Sequence, residues 1–438
     1  MWRRDFLFGA ATASFQIEGA THVDGRLPSI WDTYCATPGR VHNGDTGEVA
    51  CDHYHRYASD FDLLADLGFD AYRFSIAWPR LMDEHGQVNA RGIDFYKRLL
   101  DALDERGVQA YATLYHWDLP QHLQDRGGWL NRDTAHRFAD YADRMSRAFA
   151  GRIKGWMTLN EPWCSAYLGH ADGRHAPGLT STSYAVEAMH HLLLGHGLAV
   201  GALRANDRAP VGLVANVNAV TPASGSEADR SAAARAHASN NLWVLDPLMR
   251  GRYPDELTQL WPDAHAPIRP GDMEIIQAPM DFLGINYYFR SVVASDGARG
   301  FKDAPLADVE RTQMGWEVYP DGLRDLLIEF KQRYPELPPI YITENGMASD
   351  DRVTDGGVRD EQRMRFIGRH LAAVDQAMRQ GVDVRGYFVW SLLDNFEWAY
   401  GYEKRFGIVH VDYGTQVRTP KDSAHALKAF LSQRAASA

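Results

Sequence analysis

Eight short runs of β-forming, mostly apolar residues recur along the chain, at positions 6–13, 71–78, 110–116, 156–160, 211–217, 282–288, 340–343 and 384–390. The segments between them keep a different rhythm. Tyr57, Phe61 and Leu64, and later Phe138, Tyr141, Ala142, Met145 and Phe149, fall at spacings of three and four that trace one apolar face of a helix. The alanine-rich stretch 231–238 also reads as helix. Strands that alternate with helices pair in parallel, because each helix serves as the crossover to the next strand. No fixed-period repeat of solenoid type interrupts this alternation.

Two of the runs end on a glutamate in an unusual setting. Thr158-Leu159-Asn160-Glu161-Pro162 and Ile342-Thr343-Glu344-Asn345-Gly346 each set a carboxylate between strand-forming residues and a turn former. Pro162 disfavours the α region for its predecessor, and Asn345-Gly346 is expected to bend the chain at once. Both carboxylates are therefore expected at a rim. They lie 183 positions apart (344 − 161), and eight units in 438 residues average about 55 each, so roughly three units separate them. Glu161 then closes strand four and Glu344 strand seven. In a closed barrel the carboxyl ends of all strands meet on one face, whereas an open doubly wound sheet would not set strands four and seven opposite each other. The expected fold class is α/β, a (β/α)8 TIM barrel, with long loops after strands one, five, six and eight. The segments 21–55, 290–317 and 394–406 are expected to wall the mouth.

These strings resemble a known family when taken with Tyr115-His116-Trp117-Asp118-Leu119-Pro120, Asn286-Tyr287-Tyr288 and the run from Trp390 through Ser391-Leu392-Leu393-Asp394-Asn395-Phe396-Glu397 to Trp398. The chain is similar to the retaining β-glycosidases of glycoside hydrolase family 1, with matching segments from Phe6 to about residue 425. The resemblance implies one catalytic barrel domain spanning 1–438. It also implies that Glu344 is the nucleophile and Glu161 the acid and then the base. Retaining hydrolysis needs such a pair, one carboxylate to attack the anomeric carbon and one carboxylic acid to protonate the leaving oxygen, roughly 5–5.5 Å apart. Arg73, in Tyr72-Arg73-Phe74-Ser75, is expected to end strand two as a cation near Glu344, with the Tyr288 hydroxyl donating to the same carboxylate. Asn286 belongs to the same supporting set. Glu161 has no such partner among the motifs, and a second ionisation beside a charged Glu344 is disfavoured, so Glu161 is expected to stay protonated into the mildly acidic range. A bell-shaped pH profile follows, falling on the acid side as Glu344 takes up a proton and on the alkaline side as Glu161 loses one.

By the same resemblance, Gln16, His116, Asn160, Glu397 and Trp398 bind the terminal sugar, with Trp117 in the same motif as His116, and Trp390 forms the floor beneath. Asn160 would hold the 2-hydroxyl. Trp316 flanks the leaving-group site, while Trp2, Trp31, Trp243 and Trp261 are assigned to packing. Relatives acting on 6-phosphosugars carry a serine at position 397 and a tyrosine at 406. This chain has Glu397 and Phe406 and keeps only the lysine, Lys404, so unphosphorylated O-glycosides are expected. Tyr400, in Ala399-Tyr400-Gly401-Tyr402, stands where family sequences vary widely and bears on the leaving group.

Composition narrows the alternatives. Forty-six basic against 57 acidic residues give −11, and no basic run of five or more appears, which argues against nucleic acid. Three cysteines, Cys35, Cys51 and Cys164, are too few and odd in number for a disulfide framework and fit a reducing compartment; Cys164 reads as a small core residue. Arg3-Arg4-Asp5-Phe6-Leu7 has the look of a twin-arginine leader. Its apolar run, however, passes straight into Ser14-Phe15-Gln16-Ile17-Glu18-Gly19, so a cytoplasmic location is expected. No apolar stretch reaches the roughly 18 residues of a membrane span. His53-Tyr54-His55 has metal-ligand spacing but precedes a helix, and His190, His191 and His196 lie on a helical stretch, so no metal and no cofactor are expected. The expected partners are small β-glycosides or cello-oligosaccharides, with no nucleic acid and no membrane; the motifs carry no signal of oligomeric state. A transglycosidase using the same intermediate, and a catalytically silent carbohydrate-binding barrel, remain as alternatives to the hydrolase.

Overall fold

The computed structural model describes residues 2–297 and 299–436. Eight parallel strands close on themselves: β1 (Leu7–Ala11), β2 (Ala71–Ser75), β3 (Gln109–Tyr115), β4 (Gly155–Asn160), β5 (Val211–Pro222), β6 (Phe282–Asp296), β7 (Ile340–Asn345) and β8 (Val384–Trp390). Each strand pairs with its sequence neighbours, and β1 pairs with β8 to complete the ring. The intervening helices pack outside, as the apolar stripes require. Phe138, Tyr141, Ala142, Met145 and Phe149, on the helix Asp133–Phe149, are all buried. This is the (β/α)8 barrel expected from the alternation.

Side chains alternate across each strand, so one set faces the helices and the other fills the barrel. Phe8, Tyr72, Ala112, Leu213, Ile285, Ile342 and Val389 belong to the outer layer. Inside, four rings, Tyr111, Phe282, Tyr341 and Phe388, plug the lower half of the barrel. Each ring lies beside a glycine paired with it on the next strand: Gly155, Gly212, Gly386 and Gly9 respectively. A Cβ at Gly9 would sit 2.4 Å from Phe388, and one at Gly212 2.4 Å from the carbonyl oxygen of Phe282, so these glycines are required by close approach.

Two strands break the alternation where the chemistry sits. Between Met157 and Asn160 the register of β4 against β5 slips, and β7 slips against β6 between Ile342 and Glu344. Such bulges re-aim side chains. Met157 and Asn160 both reach Arg73 inside the barrel, and Thr343 and Glu344, adjacent in sequence, both point to interior partners.

Several boundaries differ from the sequence expectation. The second strand ends at Ser75, and a short helix, Trp78–Leu81, follows with Pro79 in its first turn. The segment 290–317, expected as loop, opens as strand: β6 runs on to Asp296 and folds back as a hairpin onto Gly300–Asp303. Asn345 does not bend the chain; it is the last residue of β7, its amide donating to Tyr287 O and accepting from the Tyr387 hydroxyl. Gly346 is needed because a Cβ there would lie 1.7 Å from Trp390 O.

The loop after β8 is pinned from below by buried charge. Lys421 is fully buried between Asp351 (2.5 Å) and Asp394 (2.7 Å), and Asp394 also accepts from Arg405 (2.7 Å) and the Gly407 amide (2.9 Å). Removing one member would strand its partner's charge, typically a cost of about 3–5 kcal/mol. The network thus fixes the ends of a loop that carries Glu397, Trp398 and Phe406.

Candidate active site

Arg73 is fully buried, and every nitrogen of its guanidinium has a partner. Nη1 donates to Glu344 Oε1 (2.6 Å) and Thr343 O (3.2 Å), Nη2 to Asn160 Oδ1 (2.7 Å), and Nε to the sulfur of Met157 (3.2 Å). The Tyr288 hydroxyl donates to the other oxygen of Glu344 at 2.5 Å. The cation on one oxygen and the phenol on the other hold the Glu344 carboxyl in a fixed orientation.

Glu161 sits in a contrasting environment. Pro162 keeps it out of the right-handed helix, as expected, but places it at φ +48° rather than in an extended conformation, with the helix beginning at Pro162 and widening into the π-helix Cys164–Asp172. Among the described residues no cation or phenol bonds to Glu161, as expected, and its partners are neutral. Asn286 Nδ2 donates to its Oε1 (2.7 Å), and the thiol of Cys164 reaches Oε2 (3.0 Å). Cys164, read from sequence as plain packing, is thus turned toward the carboxyl by the helix that Glu161 heads. Burial first, and the nearby charge of Glu344 second, push Glu161 up to about 7, against the opposing pull of Cys164, Asn286 and Arg73. The direction agrees with expectation, whereas the leading cause is desolvation and not the neighbouring charge.

The two glutamates are joined by one polar chain. Asn286 Nδ2 also donates to Asn160 Oδ1 (3.1 Å), and Asn160 bonds to Arg73, which bonds to Glu344. Arg73 fixes the Asn160 amide so that its Nδ2 donates to His116 Nε2 (3.1 Å). The ring proton of His116 is thereby assigned to Nδ1, and burial followed by the charge of Arg73 holds the imidazole neutral. Gln16 is oriented similarly, its Nε2 donating to Asn395 Oδ1 (3.0 Å) and Phe396 O (2.8 Å).

Around this chain the aromatic residues form a continuous wall. Trp117, at φ +74°, donates from Nε1 to Asn160 O (2.9 Å) and packs on Trp398 with centroids 4.6 Å apart. His116 lies nearly parallel to both Trp390 and Trp398. Trp31 backs Trp398. Trp316 and Phe406 pack against Tyr288, on the Glu344 side. Each residue expected at the site is therefore brought to this one face. Gln16 Oε1, His116 Nδ1 and Glu397 Oε2 are enclosed and have no protein partner. A ligand rich in hydroxyl groups could satisfy all three.

The enclosure of Glu397, then the charges of Glu344 and Glu161, raise its carboxyl to about 8. Lys404, for its part, is engaged by Glu403 at 2.8 Å.

The histidines with metal-ligand spacing lie elsewhere. His53 bonds to buried Asp60, while His55 is exposed beside Asp52. His190 bonds to Tyr253 and Asp272, His191 to Trp129 O and His196 to the Thr158 hydroxyl. Among the described residues no group of three or more His, Cys, Asp or Glu side chains is disposed to hold a metal ion. No helix among them is long and apolar enough to cross a membrane.

Comparison with known proteins gives concordant results. The profile of glycosyl hydrolase family 1 matches residues 1–435. A β-glucosidase of Agrobacterium sp. is 47% identical over 435 residues, covering 98% of this chain and 95% of that protein. A bifunctional β-D-glucosidase/β-D-fucosidase of Bifidobacterium breve is 44% identical over 463 residues, covering 99% and 98%. Among solved structures, a family 1 β-glucosidase from Thermotoga maritima in complex with isofagomine lactam superposes with a TM-score of 0.96 at 45% identity, covering 98% of each chain.

Proposed function

We propose that this chain, which belongs to glycosyl hydrolase family 1, is a β-glucosidase acting as a single catalytic domain. In this reading it removes terminal non-reducing β-D-glucosyl residues, and β-fucosyl or β-galactosyl residues beside them, with net retention. Its substrates are small β-glycosides and cello-oligosaccharides. The observation that carries the reading is the unequal treatment of two carboxyls on one rim. Glu344 receives Arg73 and Tyr288, while Glu161 is desolvated and raised to about 7. A carboxylate fixed by a cation and a phenol suits a nucleophile, and a desolvated carboxyl that keeps its proton suits an acid.

In the first step a carboxylate oxygen of Glu344 attacks the anomeric carbon as Glu161 gives its proton to the departing oxygen, and the glycosidic C–O bond breaks. Water then attacks the same carbon, its proton passes to Glu161, and the bond to Glu344 breaks. Asn160, held by Arg73 and Asn286, is positioned to bond the 2-hydroxyl, a contact that strengthens as positive charge develops on the ring. Gln16, His116, Glu397 and Trp398 bind the other hydroxyls above Trp390, with Trp117 shaping the wall. Trp316 and Phe406 border the leaving group. No cofactor takes part. Three free, buried thiols fit a cytoplasmic protein.

Proton NMR of early hydrolysis, begun before mutarotation, tests the mechanism. The first glucose released from an aryl β-glucoside is expected as the β anomer; first appearance of the α anomer would refute retention. A second expectation follows from the acid. Because Glu161 is protonated below about 7 and loses its proton above it, kcat/KM should fall as pH rises through about 7. A pH–rate profile on 4-nitrophenyl β-glucoside measures it.

A further inference from the structure

We infer that Cys164 is a positioning residue for Glu161: its thiol is a reversible hydrogen-bond partner of Oε2, donating when the carboxylate is ionised and accepting when it is protonated. The inference rests on the acid/base reading of Glu161 given above. It starts from backbone geometry. Glu161 heads the helix that begins at Pro162, the Cys164 amide donates to Glu161 O (2.9 Å), and the left-handed conformation at Glu161 brings its side chain onto that of the residue three positions on. Cys164 Sγ lies 3.0 Å from Oε2 and is enclosed.

A second contact decides which oxygen carries the proton. The Thr343 hydroxyl donates to Asn286 Oδ1 (2.7 Å), which turns the amide nitrogen of Asn286 toward Glu161, and that nitrogen donates to Oε1 (2.7 Å). The carbonyl oxygen of a carboxylic acid accepts better than its hydroxyl oxygen, so a fixed N–H donor at Oε1 keeps the acidic proton on Oε2, the oxygen that faces the thiol. An amide nitrogen cannot accept a hydrogen bond there; a thiol both donates and accepts, and it rotates. It therefore suits a carboxyl that cycles between two protonation states in each turnover. Burial, and then the charge of Glu161, hold the thiol well above its ordinary range, so it remains S–H throughout.

Other charged and titratable groups act on the same pair. Glu344 on β7 and Arg73 on β2 act on Glu161 in opposite senses; Tyr288 and Glu397 lie within range of its charge, and Arg174 acts on the thiol. None of these groups changes when Cys164 is replaced. The effect of replacement should therefore fall on the ionised state of Glu161, which loses a donor.

The test compares kcat/KM–pH profiles of the wild type, Cys164→Ala and Cys164→Ser on 4-nitrophenyl β-glucoside. The alkaline limb is expected to move up by roughly half to one pH unit in Cys164→Ala, and to return to or below the wild-type position in Cys164→Ser, whose hydroxyl is the stronger donor. Cys164→Val, which fills the space without a proton, replaces the alanine variant should that one unfold. A purely packing role lowers the rate equally at all pH values. An alkaline limb that stays put in both the apolar and the serine variants, whatever happens to the rates, overturns the inference. Glu161→Gln is run beside them: persistence of the alkaline limb in that variant would refute the acid/base reading itself, and so separates the two failures.

Discussion

Glu344→Ala is expected to lower kcat/KM on aryl β-glucosides by on the order of 10⁵-fold or more, since the variant has no group to form the covalent intermediate. Added azide should restore much of the rate. The truncated side chain leaves space beside the anomeric carbon, and Arg73, whose Nη1 lies 2.6 Å from Glu344 Oε1, is left as a buried cation facing that space. A small anion satisfies both the space and the charge. It attacks from the face that Glu344 occupied, so the product is the α-glycosyl azide, identified by NMR. Formation of the β-glycosyl azide, or failure of azide to accelerate the variant, would count against Glu344 as nucleophile. The same buried cation should make the variant less stable, and azide should raise its Tm as well as its rate.

Glu161→Ala is expected to show a loss that depends on the leaving group. General acid catalysis contributes roughly 10²–10⁴-fold, and it is needed most when the departing oxygen is basic. Cellobiose hydrolysis should therefore suffer a loss near the top of that range, while 2,4-dinitrophenyl β-glucoside, whose phenolate departs without a proton, should form the glycosyl-enzyme almost normally. The alkaline limb of the pH profile should vanish, because the group that titrates at about 7 is gone. Steady-state rates over a series of aryl glucosides plotted against phenol pKa give the answer. A slope unchanged from the wild type would remove Glu161 from the role of acid.

Much of this arrangement is legible in the sequence. The eight strands follow from runs of β-formers separated by stripes at helical spacing, and those patterns survive because a barrel strand is buried on both faces while its helix is buried on one. The glutamates stood out because Pro162 and the Asn345-Gly346 pair mark strand ends. Most of what escaped lies in local departures from ideal geometry. The bulges in β4 and β7 aim Asn160 and the adjacent Thr343 and Glu344 inward, and strict alternation gives no sign of them. The left-handed Glu161 brings Cys164 onto its carboxyl, a contact that a strand-end reading cannot supply. A cysteine three positions after a glutamate that leads a helix was the available signal. Asn345 read as a turn former because its side chain usually bonds locally, whereas here it is spent on Tyr287 and Tyr387 across the strands.

The ring-against-glycine packing beneath the pocket restricts how this protein can change. Gly9, Gly155, Gly212 and Gly386 each border a ring on the adjoining strand, and a Cβ at any of them would come within 2.7 Å of an atom of that partner residue. A larger residue at one of these positions is therefore compatible only with a smaller one at its mate, and a smaller ring opens a void unless its glycine grows. Substitutions in this layer should be acceptable as complementary pairs and harmful singly. Drift in the base of the barrel is thereby slowed, while the loops around the mouth stay free to diversify toward new leaving groups.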